Sequence, residues 1–144
     1  MIFIIVTSVI LLDQITKFLA LKFLQLNTPV PLIKNFLNLT LIHNRGAAFG
    51  FFQNQLLLFV LVSLFAIGLI LFNLINKKNS IALKLSLSLI LGGAVGNLID
   101  RLRFGFVVDF LDLRIWPVFN IADSVITIAA LILSWELLFK KNVA

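Results

Sequence analysis

LLLFVLVSLFAIGLILFNLI, positions 56–75, runs for twenty residues without a charged side chain or a proline. A bilayer core about 30 Å thick is crossed by about 20 mostly apolar residues in a helix, so this stretch reads as a membrane span. Working outward, positions 81–99 carry a single charge, Lys84, near the start, where its aliphatic stem can carry the ammonium to the interface. Positions 118–139 hold Asp123 near one end and Glu136 near the other, and positions 2–23 are interrupted by Asp13 and Lys17. The N-terminal run has no basic n-region and no small-residue cleavage site, so it reads as a retained span rather than a signal peptide. The expectation is an α-helical integral membrane protein, a single membrane-embedded domain over 1–144 with four transmembrane helices at about 2–23, 56–75, 81–99 and 118–139.

Composition agrees. The chain is 144 residues, 61% hydrophobic and 12% charged, with mean hydropathy +1.13; soluble domains are nearer half apolar and a quarter charged. The net charge of +6 would raise nucleic-acid binding in a soluble chain. Here the basic residues flank apolar runs, which favours membrane lipids as counter-charge and no nucleic-acid partner. The absence of cysteine removes disulfides, thiol nucleophiles and Cys-type zinc sites.

Four spans put both termini on one side and the segments 24–55 and 100–117 together on the other. Lys77-Lys78 and Lys140-Lys141 assign the termini to the cytoplasm by the positive-inside rule. In segment 24–55, Leu37, Leu39 and Leu41 alternate with Asn38 and Thr40, the period of a half-buried strand. A small β element and a short amphipathic segment on the outer membrane face are therefore expected, with a turn at Gly46-Ala47-Ala48 leading into the second span.

Each intramembrane acid marks a possible functional site, because charge at that depth costs at least ~2.5–3.5 kcal/mol. Four of the six acids, Asp100, Asp109, Asp112 and Asp123, fall between the end of span three and the start of span four. Asp13 and Lys17, at i and i+4, read first as a pair that fixes the packing of span one. Gly92-Gly93-Ala94-Val95-Gly96 reads as a small-residue surface for close helix approach. Asp100 with Arg101 reads either as a capping salt bridge or, with Asn97 one turn earlier, as part of a face aimed at peptide carbonyls. Asp109 and Asp123 each sit in an apolar run. One such residue could be a helix cap, but two at one end of the bundle suggest a carboxylate pair that shares a proton and divides into acid and base. No H-E-x-x-H or G-x-S-x-G motif exists, and the lone His43 reads as an interfacial polar residue.

Asn44-Arg45-Gly46-Ala47-Ala48-Phe49, Gly92 through Arg101, Val107-Val108-Asp109-Phe110 and Phe119-Asn120-Ile121-Ala122-Asp123-Ser124 follow one another as in bacterial lipoprotein signal peptidase (signal peptidase II), and Asp13-Gln14-Ile15-Thr16-Lys17 resembles that family's block in its first span. Gly50 stands where a Ser is common, and the segment between Asp109 and Asp123 is compact. The resemblance implies an aspartic endopeptidase of the bacterial inner membrane, cutting prolipoproteins just before a diacylglyceryl-modified cysteine. It makes Asp109 and Asp123 the catalytic pair. Asn44, Gly46, Asn97, Arg101 and Asn120 would line the site and hold substrate, with Asp13, Lys17 and Asp100 in support. No metal or cofactor is implied, and the protein is expected to act as a monomer. The competing class, a small proton-coupled transporter or scaffold, would spread its acids across the membrane, whereas these gather at one boundary.

Reporter fusions at Asn79 and after Ala144 should both report the cytoplasm; a periplasmic signal at either would overturn the shared outer face.

Overall fold

The computed structural model describes residues 1–46, 52–75 and 80–139. Four helices, α1 (Ile2–Phe23), α2 (Leu56–Leu74), α3 (Ile81–Phe104) and α4 (Ile121–Phe139), are joined by three strands, β1 (Val30–Ile33), β2 (Leu37–Asn44) and β3 (Val107–Asp112). The turn at Ala47-Ala48, position Gly50, most of the linker 76–80 and the tail with Lys140-Lys141 lie outside the described residues. By length and composition α1, α2 and α3 could each cross a membrane. Their large apolar side chains, such as Phe3, Phe18, Phe65 and Phe72, are exposed rather than packed inside. A helix satisfies its own backbone and can present such a face to lipid.

The interior is correspondingly small and polar, and α3 is its axis. A Cβ on Gly92 would lie 2.7 Å from the Cβ of Val9, and one on Gly93 would lie 2.8 Å from the carbonyl oxygen of Ala122. One on Gly96 would meet Asp13 Oδ2 at 2.5 Å. The three glycines thus let α1 approach α3 at Gly92 and Gly96, and α4 at Gly93, as the small-residue reading anticipated.

The helix limits differ from those read in the sequence. Helix α3 runs past 99 to Phe104, because Asn97 and Asp100 find partners inside the protein and need no water. Gly105, at φ 75°, ends it in the left-handed conformation that glycine adopts without strain. Helix α4 starts at Ile121, not 118. Phe119 is still extended and bridges to Leu111, and the Asn120 side chain accepts the backbone N–H of Asp123 at 2.9 Å, an N-cap geometry.

The β element is also larger than read. It is a three-stranded antiparallel sheet in the order β1-β2-β3, whose third strand comes from the run around Asp109. Ala20 of α1, Leu41, Val108 and Phe110 form a buried cluster that fastens this sheet to α1. The pairing of β2 with β3 shifts register between Leu39 and Ile42. Thr40 and Leu41 are therefore both buried and the strict alternation fails, with Thr40 donating to Asp112 Oδ2 at 2.8 Å.

Gly93→Leu should prevent α4 from seating, since the obstructing atom is a backbone carbonyl that cannot rotate away. A loss of the folded band or a clear fall in melting temperature in detergent is expected, and an unchanged melting temperature would refute the close approach.

Candidate active site

The site rests on a buried cation. Lys17 is 2% exposed, and its Nζ lies 2.9 Å from Asp13 Oδ2 and 2.8 Å from Asp100 Oδ2. It also donates to Asn97 Oδ1 at 2.9 Å. The i, i+4 pair read within α1 is therefore half of a triad that reaches α3. Asp100 pairs with Lys17, not with its neighbour Arg101. Gln14, to which sequence reasoning assigned nothing, donates to Asp100 Oδ1 at 3.0 Å and to the carbonyl of Gly96 at 3.2 Å. Its place between the two charged positions was the only available signal.

Both acids carry the network outward. Asp13 Oδ1 accepts the backbone N–H of Ala122 at 2.9 Å, in the first turn of α4. Asp100 Oδ2 accepts that of Val108 at 3.0 Å, in β3. These two backbone positions immediately precede Asp123 and Asp109.

Asp109 is 1% exposed and projects from β3 between two amides. Asn44 of β2 donates to its Oδ2 at 2.8 Å, and Asn120 donates to its Oδ1 at 2.7 Å. Asp123 Oδ1 accepts from Asn97 Nδ2 at 2.8 Å, so Asn97 takes a hydrogen bond from Lys17 on its oxygen and gives one to Asp123 from its nitrogen. Asn120 links the two halves: besides holding Asp109 and capping α4, its amide reaches Asn97 Oδ1 at 3.1 Å. Burial, and secondarily the charge of Asp123, push the Asp109 carboxyl up to about 7, against the hydrogen bonds from Asn44 and Asn120 and the charge of Lys17.

Asp109 and Asp123 open onto one cavity of about 270 Å³, which Asn44, Gly46, Asn97 and Arg101 also line. Asn120, Asp13, Lys17 and Asp100 do not line it; they stand behind the residues that do. Gly46 donates its backbone N–H to Asn44 Oδ1 at 3.0 Å and so fixes which end of that amide faces Asp109. Val107, Trp116, Pro117, Val118, Phe119 and Thr127 complete the wall. Sequence reasoning missed them, having assigned 118 and 119 to a lipid-facing span. Asp112 lies apart, accepting from Thr40 and from the backbone N–H of Arg114 at 2.8 Å. His43 is also outside the cavity, stacked on Phe106 with ring centroids 4.0 Å apart. Burial and the nearby Arg45 hold its imidazole below its ordinary value.

A buried carboxyl and a half-buried one facing one small polar cavity, each held by side-chain amides, can accept and return a proton across a bound peptide bond. Known proteins share this architecture. A family model described as signal peptidase (SPase) II matches residues 5–139. A lipoprotein signal peptidase of Halothermothrix orenii is 47% identical over 133 residues, covering 92% of each chain. One of Caldanaerobacter subterraneus subsp. tengcongensis is 44% identical over 141 residues, covering 97% of each. A solved structure described as a bacterial membrane enzyme, determined by the in meso method at 2.3 Å resolution, superimposes with a TM-score of 0.92 at 30% identity, covering 99% of this chain and 92% of its own. With the match spanning nearly its whole length, from α1 to the end of α4, the chain belongs to the signal peptidase II family.

Proposed function

We propose that this membrane peptidase removes signal peptides from diacylglyceryl-modified prolipoproteins with Asp109 and Asp123 as its acid and base. The observation that carries this reading is the cavity onto which both carboxyls open, with Arg101, Asn97 and Asn44 around them. Asp109, pushed up to about 7, is the protonated partner: it polarises the scissile carbonyl and later returns a proton to the leaving amine. Asp123 takes a proton from the attacking water. Asn97 and Asn120 hold the two carboxyls in register, while Arg101 and Asn44 steady the substrate backbone.

The four helices form one domain whose four spans place both termini in the cytoplasm of a bacterium and the sheet with the cavity at the outer face of its inner membrane. A lipid-anchored substrate then reaches the site sideways from the bilayer, and water reaches it from outside. A monomer contains every group the reaction uses. Asp13, Asp100, Asp109 and Asp123 gather at one end of the bundle, joined through Lys17, Asn97 and Asn120, which is an arrangement for a site rather than for a proton path across the bilayer.

Asp109→Asn and Asp123→Asn should each abolish cleavage of a lipid-modified prolipoprotein while the protein still folds. General acid–base roles are worth roughly 10²–10⁴-fold each and members of one unit are not additive, so the double variant should be little worse than either single one. Asp112→Asn should keep most activity. Near-normal turnover by Asp109→Asn would sink the assignment.

The pH profile offers a second check. Asp109 acts protonated, so kcat/KM should fall as pH rises through about 7. Asn44 donates to the ionised carboxylate and holds its pKa down; Asn44→Ala should therefore move that alkaline limb to higher pH. A limb that stays in place, or moves down, would contradict the role given to Asp109.

A further inference from the structure

Helix α2 contributes no residue to the wall of the cavity, yet it meets the site at one point. The ring of Phe59, in its first turns, lies under the guanidinium of Arg101, with the Arg101 Cζ 5.1 Å from the ring centroid. Arg101 is a cavity residue whose charge acts on Asp123, Asp109 and Asp100, but among the described residues its guanidinium forms no ion pair. A long side chain left without a rigid partner samples several rotamers, and ordering it on substrate binding weakens that binding. An aromatic face within about 6 Å attracts a guanidinium, and more strongly where water is excluded. It does so without occupying any of the five N–H donors, which stay available to peptide carbonyls.

We infer that Phe59 is a positioning residue for the peptidase reaction, holding the Arg101 guanidinium ready over the cavity so that its donors meet the substrate backbone already aligned. This rests on the reading of Arg101 as a substrate-binding group. It gives α2, whose side chains are otherwise largely exposed, a part in substrate affinity. Leu56 at the start of the same helix lies beside Gly105, 3.9 Å from where a Cβ would stand there. The end of α2 that carries Phe59 is thus seated against the end of α3 that carries Arg101.

The test is a double-mutant cycle on the full-length protein in detergent, with a lipid-modified prolipoprotein as substrate. Phe59→Leu keeps apolar volume and loses the aromatic face. It should lower kcat/KM by about tenfold, chiefly through KM, with the melting temperature unchanged. Phe59→Tyr, which keeps the face, should restore activity. In an Arg101→Gln background Phe59→Leu should have no further effect. Wild-type kinetics for Phe59→Leu, an equal loss in both backgrounds, or a loss that follows the melting temperature and is not rescued by Tyr would each overturn the inference. If Arg101→Gln itself cleaves normally, the substrate-binding reading of Arg101 fails and the inference falls with it, whereas inactive Asp109→Asn and Asp123→Asn variants would leave the catalytic pair standing.

Discussion

Everything at the end of the bundle that holds Asp109 and Asp123 hangs on one ammonium group. Lys17 is almost wholly removed from solvent, and a buried cation of that kind is tolerable only with close, well-oriented counter-charge. Asp13 and Asp100 supply it from two helices at 2.9 and 2.8 Å. Neither acid is consumed by the pairing. Asp13 also receives the N–H of Ala122 and Asp100 that of Val108, so the groups that make Lys17 tolerable also fix the start of α4 and the start of β3. Removing one member of such a cluster leaves uncompensated charge, a cost of about 3–5 kcal/mol. In this molecule it would also loosen the backbone beside Asp109 and Asp123.

Asn97 and Asn120 turn this support into a site. An amide can accept at one end and donate at the other, and both residues use the two ends at once. Asn97 accepts from Lys17 and gives to Asp123; Asn120 accepts from the Asp123 backbone and gives to Asp109. A carboxylate in either position would repel the pair, and an apolar residue would leave buried groups without partners.

Much of this was legible in the sequence, and the parts that were not have physical reasons. The charge-free run at 56–75 and the glycines at 92, 93 and 96 act through length and size, which a linear reading preserves. The positions of Asp109 and Asp123 in apolar runs marked them as unusual. The sheet was only half visible. Residues 107–112 are buried on both faces at their start, so they show no alternation and read as part of an apolar run. The end of α3 was missed because hydropathy counts Asp100 and Arg101 as interruptions, whereas here Asp100 is neutralised from α1, far away in sequence. Gln14 was hidden for the same reason: an amide advertises nothing until its partners are in place. Val118 and Phe119 were assigned to the fourth span because their side chains are apolar, whereas both line the cavity.

The spacing of Asp13 and Lys17 on a single helix bears on how such a protein is made. Helix α1 carries its own acid beside its own base, so it can enter the bilayer as a locally neutral segment before the helices that follow it have been synthesised. Asp100 is translated some eighty residues afterwards and meets a cation already in the bilayer. Docking of the third helix is therefore guided by an attraction installed in advance. Neither Asp13 nor Lys17 need wait unpaired in lipid for a partner not yet made.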